Sequence, residues 1–548
     1  MKKHQPPSRY LFAGGLFLLC LLTSLASFSG TQEKYWVTFK DKNGSVFNPE
    51  AYFDARTILQ RKQLNIAIAD STDFPVSGNY LSLIEKTGAK LSWYSRWLNG
   101  VAVIASPEQK ENIRKLPCVL DVEQMSLNAT ISEVKPRSPE KANIDLLRFQ
   151  TSRMQGDLFK KEKLDGTGIR IAVFDAGFPG VDKSPVFKKL RDEKKIVATY
   201  DFVSKKEFVY GHHWHGCATL SCIAGIADSL NMGLATGAEF LLARTEYALR
   251  EPASEEEYWL AAAEWADQHG ANIISSSLGY TNKRYFSNEM NGRKSLVARA
   301  ATIAAQKGIL VVNAAGNEGQ EDWHIIDTPA DADSVLAIGG VDPERDLHIY
   351  FSSYGPTSDG KMKPNLCASG KAVVAGKRGL KTSFGTSFST PLVAGFAACA
   401  WQSHREWTNM DLFAELQKSG HLYPYFDYVH GYGIPQASYF LDKNKTVDPT
   451  FDFVIVNNEI KVILREKYSY TADENAMGYS ARRNLFYKVE DQFGRMVSYN
   501  VLLAEEKAVL HFLAEDFREG DAITVHFEGY TSSLDFPKLD IPDDPIQK

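Results

Sequence analysis

The sequence lacks a strong excess of charge of either sign, and it has only one long apolar run. Its 548 residues carry a formal net charge of −5 at pH 7, without a long basic tract. Such a balance argues against nucleic acid or an anionic membrane surface as the partner. Beyond the first thirty residues, no apolar run reaches the roughly 20 residues that a membrane-spanning helix needs. The sequence therefore predicts neither a nucleic-acid-binding protein nor a protein with several membrane spans.

Cysteine is also scarce, with six in the chain and no CxxC pair. No spacing of cysteine and histidine indicates structural zinc. Cysteines with small or apolar neighbours occur in the part that we expect to remain in the mature protein: Cys217, Cys222, Cys367 and Cys399. Export permits disulfides, but a protein of this size does not depend on them. We therefore predict buried free thiols, with disulfides as the alternative.

Residues 1–29 have the pattern of a secretory signal peptide. Basic residues precede the apolar run from Leu11 to Leu25, and small residues follow it. Cys20 lies inside this run and follows Leu19, which argues against a lipid anchor. An uncleaved membrane anchor is another alternative, but the run is short for a spanning helix. We therefore predict an exported protein that is periplasmic, cell-surface or secreted.

From about residue 165 to 400, short apolar runs alternate with helical patterns. The clearest runs are IRIAVF, ANIISSSL, GILVVNAAG and DSVLAIGG. This alternation predicts stacked βα units and a parallel sheet. In open α/β sheets, functional residues gather at the carboxyl ends of the strands. The polar residues that end these runs are therefore the candidates for a functional site.

Such positions carry side chains suited to catalysis. Asp175 ends the first run in the motif DAG, and His215 begins HG before the small-residue pattern CATLSCIAG, which predicts a closely packed helix. Asn317 lies in AAGNEG after another run, and Ser387 lies in GTSFSTP before an apolar helical stretch. Because proline is tolerated in a first helical turn, we predict Ser387 at a helix N-terminus. Free backbone N–H groups there suit a developing oxyanion.

The motifs DAG, HG, AAGNEG and GTSFSTP, in that order, resemble the subtilisin-like family of serine peptidases. The segments ISSSLG, FSSYGPTSDGKMKPNLCASG and HGYGIPQA are similar to further family segments, so the resemblance covers about residues 145 to 440. The order Asp, His, Ser also distinguishes this family from other triad hydrolases. The resemblance implies an α/β fold with a parallel sheet and helices on both faces.

The resemblance also implies a role for each motif. A serine hydroxyl is a poor nucleophile at neutral pH, so His215 is expected to take the proton of Ser387 while Asp175 holds the imidazole. The side-chain amide of Asn317 and the backbone N–H of Ser387 are expected to bind the oxyanion. By the same resemblance, an extended peptide substrate is expected to pair as an added strand with Ser277, Leu278 and Gly279.

Two positions depart from the family pattern. Ala176 replaces the usual hydroxyl residue after the aspartate, and Cys217 replaces the threonine after His-Gly. Neither position transfers a proton, so the departures affect the local hydrogen bonds rather than the chemistry. His212 and His213 precede His215 without the HExxH spacing of a zinc site, and we predict no metal or cofactor there. Structural calcium, which the family often binds, is left open.

Residues 30–140 have the pattern of a separate, small αβ unit. Strands are predicted for YWVTFK and WLNGVAVIAS, and helices for NPEAYFDARTILQRKQ and residues 107–116. The segment CVLDVEQ follows them. This order resembles the inhibitory propeptides of subtilisin-like peptidases, with a permanent accessory domain as the alternative. The polar segment 125–142 is a natural place for cleavage.

Residues 443–548 have a third kind of pattern, in which short runs rich in Val, Ile, Phe and Tyr are separated by turns. They predict a small β-sandwich after a catalytic domain of residues 141–442. We expect an exported serine endopeptidase that acts on polypeptides and is made as a self-processed zymogen, inhibited by its own propeptide. The alternatives are a peptide-binding scaffold that has lost catalysis, and an esterase with the same triad.

Overall fold

The computed structural model describes residues 32–125, 143–247, 252–281, 284–376, 379–442, 447–468, 483–504 and 508–536. The predicted signal peptide, residues 1–29, and nearly all of the predicted cleavage segment, residues 126–142, lie outside the described residues. None of the helices in the described ranges combines the length and the apolar character needed to span a bilayer.

The N-terminal unit is an antiparallel sheet with helices packed on it. Its elements are β1 (Glu33–Phe39), α1 (Pro49–Tyr52), α2 (Ala55–Gln63), α3 (Gly78–Glu85), β2 (Lys90–Ser95), β3 (Gly100–Ala105), α4 (Pro107–Arg114) and β4 (Val119–Gln124). The strand order is β2-β3-β1-β4. The predicted helix 48–63 is divided into α1 and α2, because Phe53 has an extended backbone and a buried ring. The sequence patterns did not predict α3 and β2.

The catalytic-domain region follows as alternating helices and strands. Its elements are α5 (Ile144–Ser152), α6 (Gly156–Lys161), β5 (Arg170–Asp175), α7 (Lys188–Asp192), β6 (Ile196–Asp201), α8 (His215–Ala224), β7 (Ile226–Ala227), β8 (Leu230–Asn231), β9 (Glu239–Arg244), α9 (Ser254–Gln268), β10 (Ile273–Ser276), α10 (Leu296–Gln306), β11 (Leu310–Ala314), β12 (Val335–Asp342), β13 (Leu347–His348), β14 (Leu366–Ser369), β15 (Lys371–Gly376), β16 (Gly379–Phe384), α11 (Thr386–Ser403), α12 (Asn409–Lys418) and α13 (Ser438–Leu441).

The central sheet has the strand order β13-β12-β11-β10-β5-β9-β6, and β14 also pairs with β12. These pairings are parallel, as the sequence predicted, except that β13 lies antiparallel to β12. The carboxyl ends of β5, β10 and β11 therefore meet at the same edge of the sheet. Asp175, Ser277 and Asn317 lie on or just after these ends.

Helices cover both faces of this sheet, as predicted. Ile171 and Val173 of β5 share one buried cluster with α8 and α11, whereas Ala172 and Phe174 share another with α9 and α10. Successive residues of a strand point to opposite faces, so a strand buried on both faces needs an unbroken apolar run. This constraint explains why IRIAVF does not alternate with polar residues.

The C-terminal region forms antiparallel sheets around one core. Its strands are β17 (Phe451–Val456), β18 (Glu459–Leu464), β19 (Asn484–Glu490), β20 (Met496–Leu503), β21 (Ala508–Leu513), β22 (Ala522–Phe527) and β23 (Tyr530–Asp535). In the described residues, one sheet has the order β17-β18-β21 and the other β20-β19-β22-β23. Apolar side chains from both sheets meet in one cluster, consistent with the predicted β-sandwich. The pattern did not predict β23.

The C-terminal sheets contact the catalytic region through Phe486 of β19. The Phe486 ring lies 5.3 Å from the ring of His430 and 6.0 Å from that of Tyr425, measured between centroids. His421 and His526 also lie against it, and burial lowers the pKa of both imidazoles. In their neutral form, these two imidazoles pack against Phe486 without adding a charge to the interface.

The N-terminal unit packs on α9 and α10, the helices that share a buried cluster with Ala172 and Phe174. Trp36 and Trp97 belong to the same buried cluster as residues of α9 and α10. A row of carboxylates on α9 also faces the unit. Glu257 pairs with Lys34 and accepts a hydrogen bond of 2.7 Å from Ser92 Oγ. The unit is thus joined to α9 by apolar and polar contacts together.

Candidate active site

Asp175 and His215 are in direct contact. Asp175 ends β5 and is fully buried, and His215 is the first residue of α8. His215 Nδ1 lies 2.9 Å from Asp175 Oδ1 and 3.0 Å from Oδ2. Because an ionised carboxylate only accepts hydrogen bonds, Nδ1 carries the proton and Nε2 is the basic nitrogen. A Cβ at residue 216 would collide with the carbonyl oxygen of Gly177, so only glycine permits this approach of the loop and helix.

Further donors satisfy the Asp175 carboxylate. Thr219 Oγ1, one helical turn after His215, donates to Oδ2 over 2.9 Å, and the Ala176 backbone N–H donates to Oδ1 over 2.7 Å. The sequence left open how Asp175 is held without a hydroxyl residue at position 176. In the structure, the hydroxyl group comes from α8 instead. Residues four apart lie on the same face of a helix, which is the signal that could have identified Thr219.

The other two histidines of the GHHWHG stretch have different surroundings. His212 Nε2 lies 3.3 Å from Asp201 Oδ2 and 3.3 Å from Arg244, away from Asp175. The His213 ring stacks against His215 with centroids 6.4 Å apart, and its backbone N–H donates to Ala176. Across the described ranges, no group of three or more His, Cys, Asp or Glu side chains is arranged to hold a metal ion.

Ser387 lies at the N-terminus of α11, in its second position. The sequence predicted Pro391 in the first turn of this helix. It is instead the sixth residue of α11. A proline there has no N–H for the carbonyl oxygen of Ser387, four residues earlier. Ser277 Oγ donates to that oxygen over 2.9 Å, and Ser387 Oγ donates to the Ser277 carbonyl oxygen over 3.3 Å. The hydroxyl of Ser277 thus replaces a missing helical hydrogen bond.

The side-chain amide of Asn317 is oriented by the first residue of α11. Its Oδ1 accepts hydrogen bonds from the Thr386 backbone N–H at 2.9 Å and from Thr386 Oγ1 at 3.0 Å. With Oδ1 placed by two donors, Nδ2 is the end of the amide that remains to donate to another group. Thr386 lies within the motif GTSFSTP, but the motif does not predict this role, because the contact joins residues 69 positions apart in the chain.

The same region brings His215 close to the start of α11. The His215 ring lies 5.7 Å from the ring of Phe388, the residue after Ser387, between centroids. Asp175, His215, Asn317 and Ser387 therefore meet at the carboxyl edge of the sheet, although the chain separates the first from the last by more than 200 residues.

Ser277, Leu278 and Gly279 follow β10 at the same edge. Ser277 and Ser387 are joined by two hydrogen bonds, in each of which the hydroxyl of one residue donates to the carbonyl oxygen of the other. The Leu278 carbonyl oxygen accepts a hydrogen bond of 2.9 Å from Asn313 Nδ2, which fixes the strand end against β11. Beyond Gly279, Tyr280 forms an isolated bridge with Thr328. The segment is thus anchored at both ends.

The prediction of buried free thiols is confirmed within the described ranges, where Cys217, Cys222, Cys367 and Cys399 are buried and form no disulfide. Burial, together with the nearby Asp175 carboxylate, raises the pKa of Cys217 to about 12. The thiolate is the reactive form of cysteine, so this thiol beside His215 is chemically inert.

A buried carboxylate that holds a histidine, next to a serine at a helix N-terminus of an α/β sheet, is typical of serine hydrolases. The comparisons agree. Residues 166–433 match the model of the subtilase family, peptidase S8, and residues 34–142 match the peptidase S8 propeptide domain of Bacteroidota. The chain belongs to the subtilase family, and it is a subtilisin-like serine peptidase with an N-terminal propeptide domain.

Similar proteins include known bacterial proteases. The chain is 27% identical over 329 residues to a thermostable alkaline protease of Halalkalibacterium halodurans, covering 58% of this chain and 78% of that protein. It is 28% identical over 291 residues to the serine protease AprX of Bacillus subtilis, covering 47% and 62%. With subtilisin BL of Lederbergia lenta it shares 26% identity over 275 residues, covering 49% and 89%.

The state of the thiols gives a first prediction. In the native processed protein, Cys217, Cys222, Cys367 and Cys399 should not react with Ellman's reagent at pH 8, because they are buried and protonated. After unfolding in guanidinium chloride without a reductant, each of them should react. The measurement is absorbance titration, with mass spectrometry to locate the labels. Rapid labelling of the native protein, or an unreactive pair after unfolding, would contradict the prediction.

Proposed function

We propose that the chain is an exported serine endopeptidase, made as a zymogen that cleaves its own N-terminal propeptide. Ser387 is the nucleophile, His215 the general base and Asp175 the residue that orients the imidazole. The observation that carries this proposal is the contact of His215 Nδ1 with both oxygens of the buried Asp175 carboxylate.

The proton movements follow from the position of the carboxylate. Asp175 holds the proton on Nδ1, so Nε2 accepts the proton of Ser387 as its oxygen attacks the peptide carbonyl carbon. The imidazolium then donates this proton to the leaving amine, and Asp175 stabilises the cation meanwhile. In the second half of the reaction, water attacks the acyl-enzyme with His215 again as the base, and Ser387 is restored.

The oxyanion is stabilised by Asn317 Nδ2 and the backbone N–H of Ser387. The first four N–H groups of a helix have no partner within the helix, and the Ser387 N–H is among those of α11. The Thr386 donors orient the Asn317 amide with Oδ1 toward the helix, which supports a role for Nδ2 in the cleft. Donors fixed before the reaction cost little reorganisation during it.

The substrate pairs with Ser277, Leu278 and Gly279 as an added strand, so cleavage within polypeptides is expected. We place the domain limits at residues 1–29 for the signal peptide, 30–140 for the propeptide, 141–442 for the catalytic domain and 443–548 for the C-terminal domain. The C-terminal domain has a structural or accessory role, supported by its contact through Phe486. Export follows from the signal peptide, and no cofactor is required.

The propeptide is held by carboxylates of α9 that become exposed when it leaves. Glu264 Oε1 accepts hydrogen bonds from Ser95 Oγ and, at 3.2 Å, from the Trp97 backbone N–H. Desolvation raises the pKa of Glu264 to about 7 and that of Asp267 to about 6. Asp267 has Arg61 as an ionic partner at 2.6 Å, whereas Glu264 accepts hydrogen bonds from the neutral groups of Ser95 and Trp97, with the Arg96 cation nearby. Burial thus outweighs the nearby cation, and Glu264 has a pKa close to neutral pH.

The second prediction concerns self-processing. Ser387→Ala protein, expressed with its signal in a host without related peptidases, should accumulate with the propeptide attached, whereas the wild-type protein should be cut between about Gln124 and Phe149. The measurement is N-terminal sequencing together with labelling by a fluorophosphonate probe. The labelled residue should be Ser387. A processed Ser387→Ala chain would refute self-processing, and an unlabelled mature wild type would favour a scaffold without catalysis.

The third prediction concerns the oxyanion donor. Asn317→Ala should lower kcat by about 10² to 10³ with little change in KM, because the amide acts on charge that forms in the transition state. His213→Ala is the matched control and should change turnover by less than about tenfold, since His213 stacks on His215 and transfers no proton in the proposed reaction. Steady-state kinetics on a peptide substrate distinguish the cases. A loss confined to KM would mean that Asn317 binds the substrate instead.

The fourth prediction concerns the pH dependence of propeptide binding. A carboxyl whose pKa is raised in the complex takes up a proton on binding, so affinity rises as the pH falls through the raised pKa. With a pKa of about 7 for Glu264, inhibition of the mature enzyme by the separate segment 30–140 should be about tenfold tighter at pH 6 than at pH 8.

Glu264→Gln should remove this pH dependence of inhibition. At pH 8 the variant enzyme should bind the segment more tightly than wild type, because the amide keeps an acceptor for Ser95 and Trp97 without a charge. Glu193→Gln, an exposed change directly after α7, is the control and should behave as wild type. Inhibition constants measured across the pH range provide the test. An unchanged pH profile in Glu264→Gln would show that another group governs release.

A further inference from the structure

The proposed substrate edge lies beyond the hydrogen-bonded part of the central sheet. β10 pairs with β5 and β11 from Ile273 to Ser276, and the edge, residues 277–279, comes directly after these pairs. A peptide can add to an edge as a strand only if the edge holds its N–H and C=O groups in an extended line. The shape of this segment therefore depends on contacts outside the sheet.

The residue after the edge is held through both its backbone and its ring. Tyr280 is 2% exposed. Its N–H donates to the Thr328 carbonyl oxygen over 3.1 Å, and the Thr328 N–H donates back over 3.4 Å. On the side chain, the guanidinium carbon of Arg284 lies 3.9 Å from the centroid of the Tyr280 ring. A cation over an aromatic face is attracted to it, and more strongly where water is excluded. Arg284 thus holds the ring at the outer end of the edge.

Arg284 is in turn fixed to the start of α9. Its Nη1 donates to Glu256 Oε1 over 3.1 Å, and its Nη2 lies 3.7 Å from Glu255 Oε2 and donates to the Pro252 carbonyl oxygen over 2.9 Å. The side chains of the arginine and of both glutamates are buried. Removing one member of such a buried ionic cluster leaves uncompensated charge, which is costly. The guanidinium is therefore confined to its place over Tyr280.

The two glutamates also join this cluster to other elements. Tyr285 Oη lies 2.8 Å from both carboxylate oxygens of Glu256, and the backbone N–H of Leu296, the first residue of α10, donates to Glu256 Oε2 over 3.2 Å. Glu255 Oε1 accepts a hydrogen bond of 2.8 Å from the backbone N–H of Tyr247, which follows β9. The cluster therefore ties the end of the edge to α9, to α10 and to the chain after β9.

We propose that Arg284 is a positioning residue for peptide substrates, which holds Tyr280 and so keeps residues 277–279 extended before a substrate arrives. The inference rests on the proposed function and adds to it a residue that acts on substrate binding and not on proton transfer. An edge that is already ordered loses less conformational entropy when a peptide binds. Arginine suits this role because its planar fork reaches two carboxylates while its face stacks on a ring, which a lysine ammonium cannot reproduce.

The fifth prediction compares a substrate that pairs with the edge and one that cannot. p-Nitrophenyl acetate has no peptide groups, whereas a peptide with about four residues before the scissile bond needs the edge. In mature Arg284→Lys protein, kcat/KM should fall by about tenfold for the peptide and by less than about twofold for the ester. Arg293→Lys, an exposed change in the same loop, is the matched control and should leave both values unchanged. Each value is divided by the fraction of protein that labels with a fluorophosphonate probe.

Hydrogen exchange of mature wild type tests the same point without a variant, and it decides the matter if Arg284→Lys protein does not fold. The backbone N–H groups of Tyr280 and Arg284, which donate to Thr328 and Thr281, should be protected before any substrate binds. Free exchange that slows only after a peptide aldehyde binds would show that the edge forms on binding, and would overturn the assignment.

The kinetic results separate this assignment from the proposed function. In folded, labelled Arg284→Lys protein, an equal loss with both substrates would mean that the cluster only supports the fold, and a loss with neither would mean that it does not position the edge. Either result would overturn the assignment alone. A mature wild type that neither labels nor cleaves either substrate would instead refute the proposed function.

Discussion

The burial of helix α11 is the constraint on which the site depends. Residues Thr386 to Trp401 are buried, and their side chains share one core with β5, β10, β11, β12 and α8. A helix surrounded in this way cannot shift along its axis without opening cavities, which are costly in a close-packed interior. Its first turn, with Ser387, is therefore fixed relative to the carboxyl edge of the sheet.

A buried helix terminus must also satisfy its polar groups, and the site residues do so. Asn317 accepts the Thr386 N–H, and Ser277 donates to the Ser387 carbonyl oxygen that Pro391 leaves without a helical partner. An unsatisfied buried polar group costs about 1–3 kcal/mol. The proposed oxyanion donor and the proposed substrate edge are thereby tied to the proposed nucleophile, Ser387, by bonds that also satisfy the buried end of the helix. Stability and catalytic geometry rest on the same contacts.

The propeptide and the C-terminal domain contact the catalytic domain by different chemistry. The propeptide covers ionisable groups on α9, including Glu257 and Glu264, whose pKa values are raised by burial. The C-terminal domain instead packs Phe486 against His421 and His526, whose pKa values are lowered by burial. The carboxyl groups regain solvation when the propeptide leaves, whereas separation of the C-terminal domain would expose the apolar Phe486 ring to water. The first is suited to a temporary partner and the second to a lasting one.

The sequence by itself determined the candidate catalytic motifs, the strands that are buried on both faces and the free thiols. Each of these depends on a few consecutive residues, such as an apolar run, a turn or the start of a helix. It also determined most of the C-terminal strands, through their β-branched and aromatic runs. Only the tertiary structure decided that Thr219 supports Asp175, that Ser277 compensates for Pro391 and that Arg284 joins Tyr280 to Glu256. These contacts join residues from separate loops, and their energies depend on burial, which local spacing does not encode. The division of the helix at Phe53 was also decided by packing, since its buried ring contacts Phe47, Tyr52 and Arg61 in a way that a helical period does not specify.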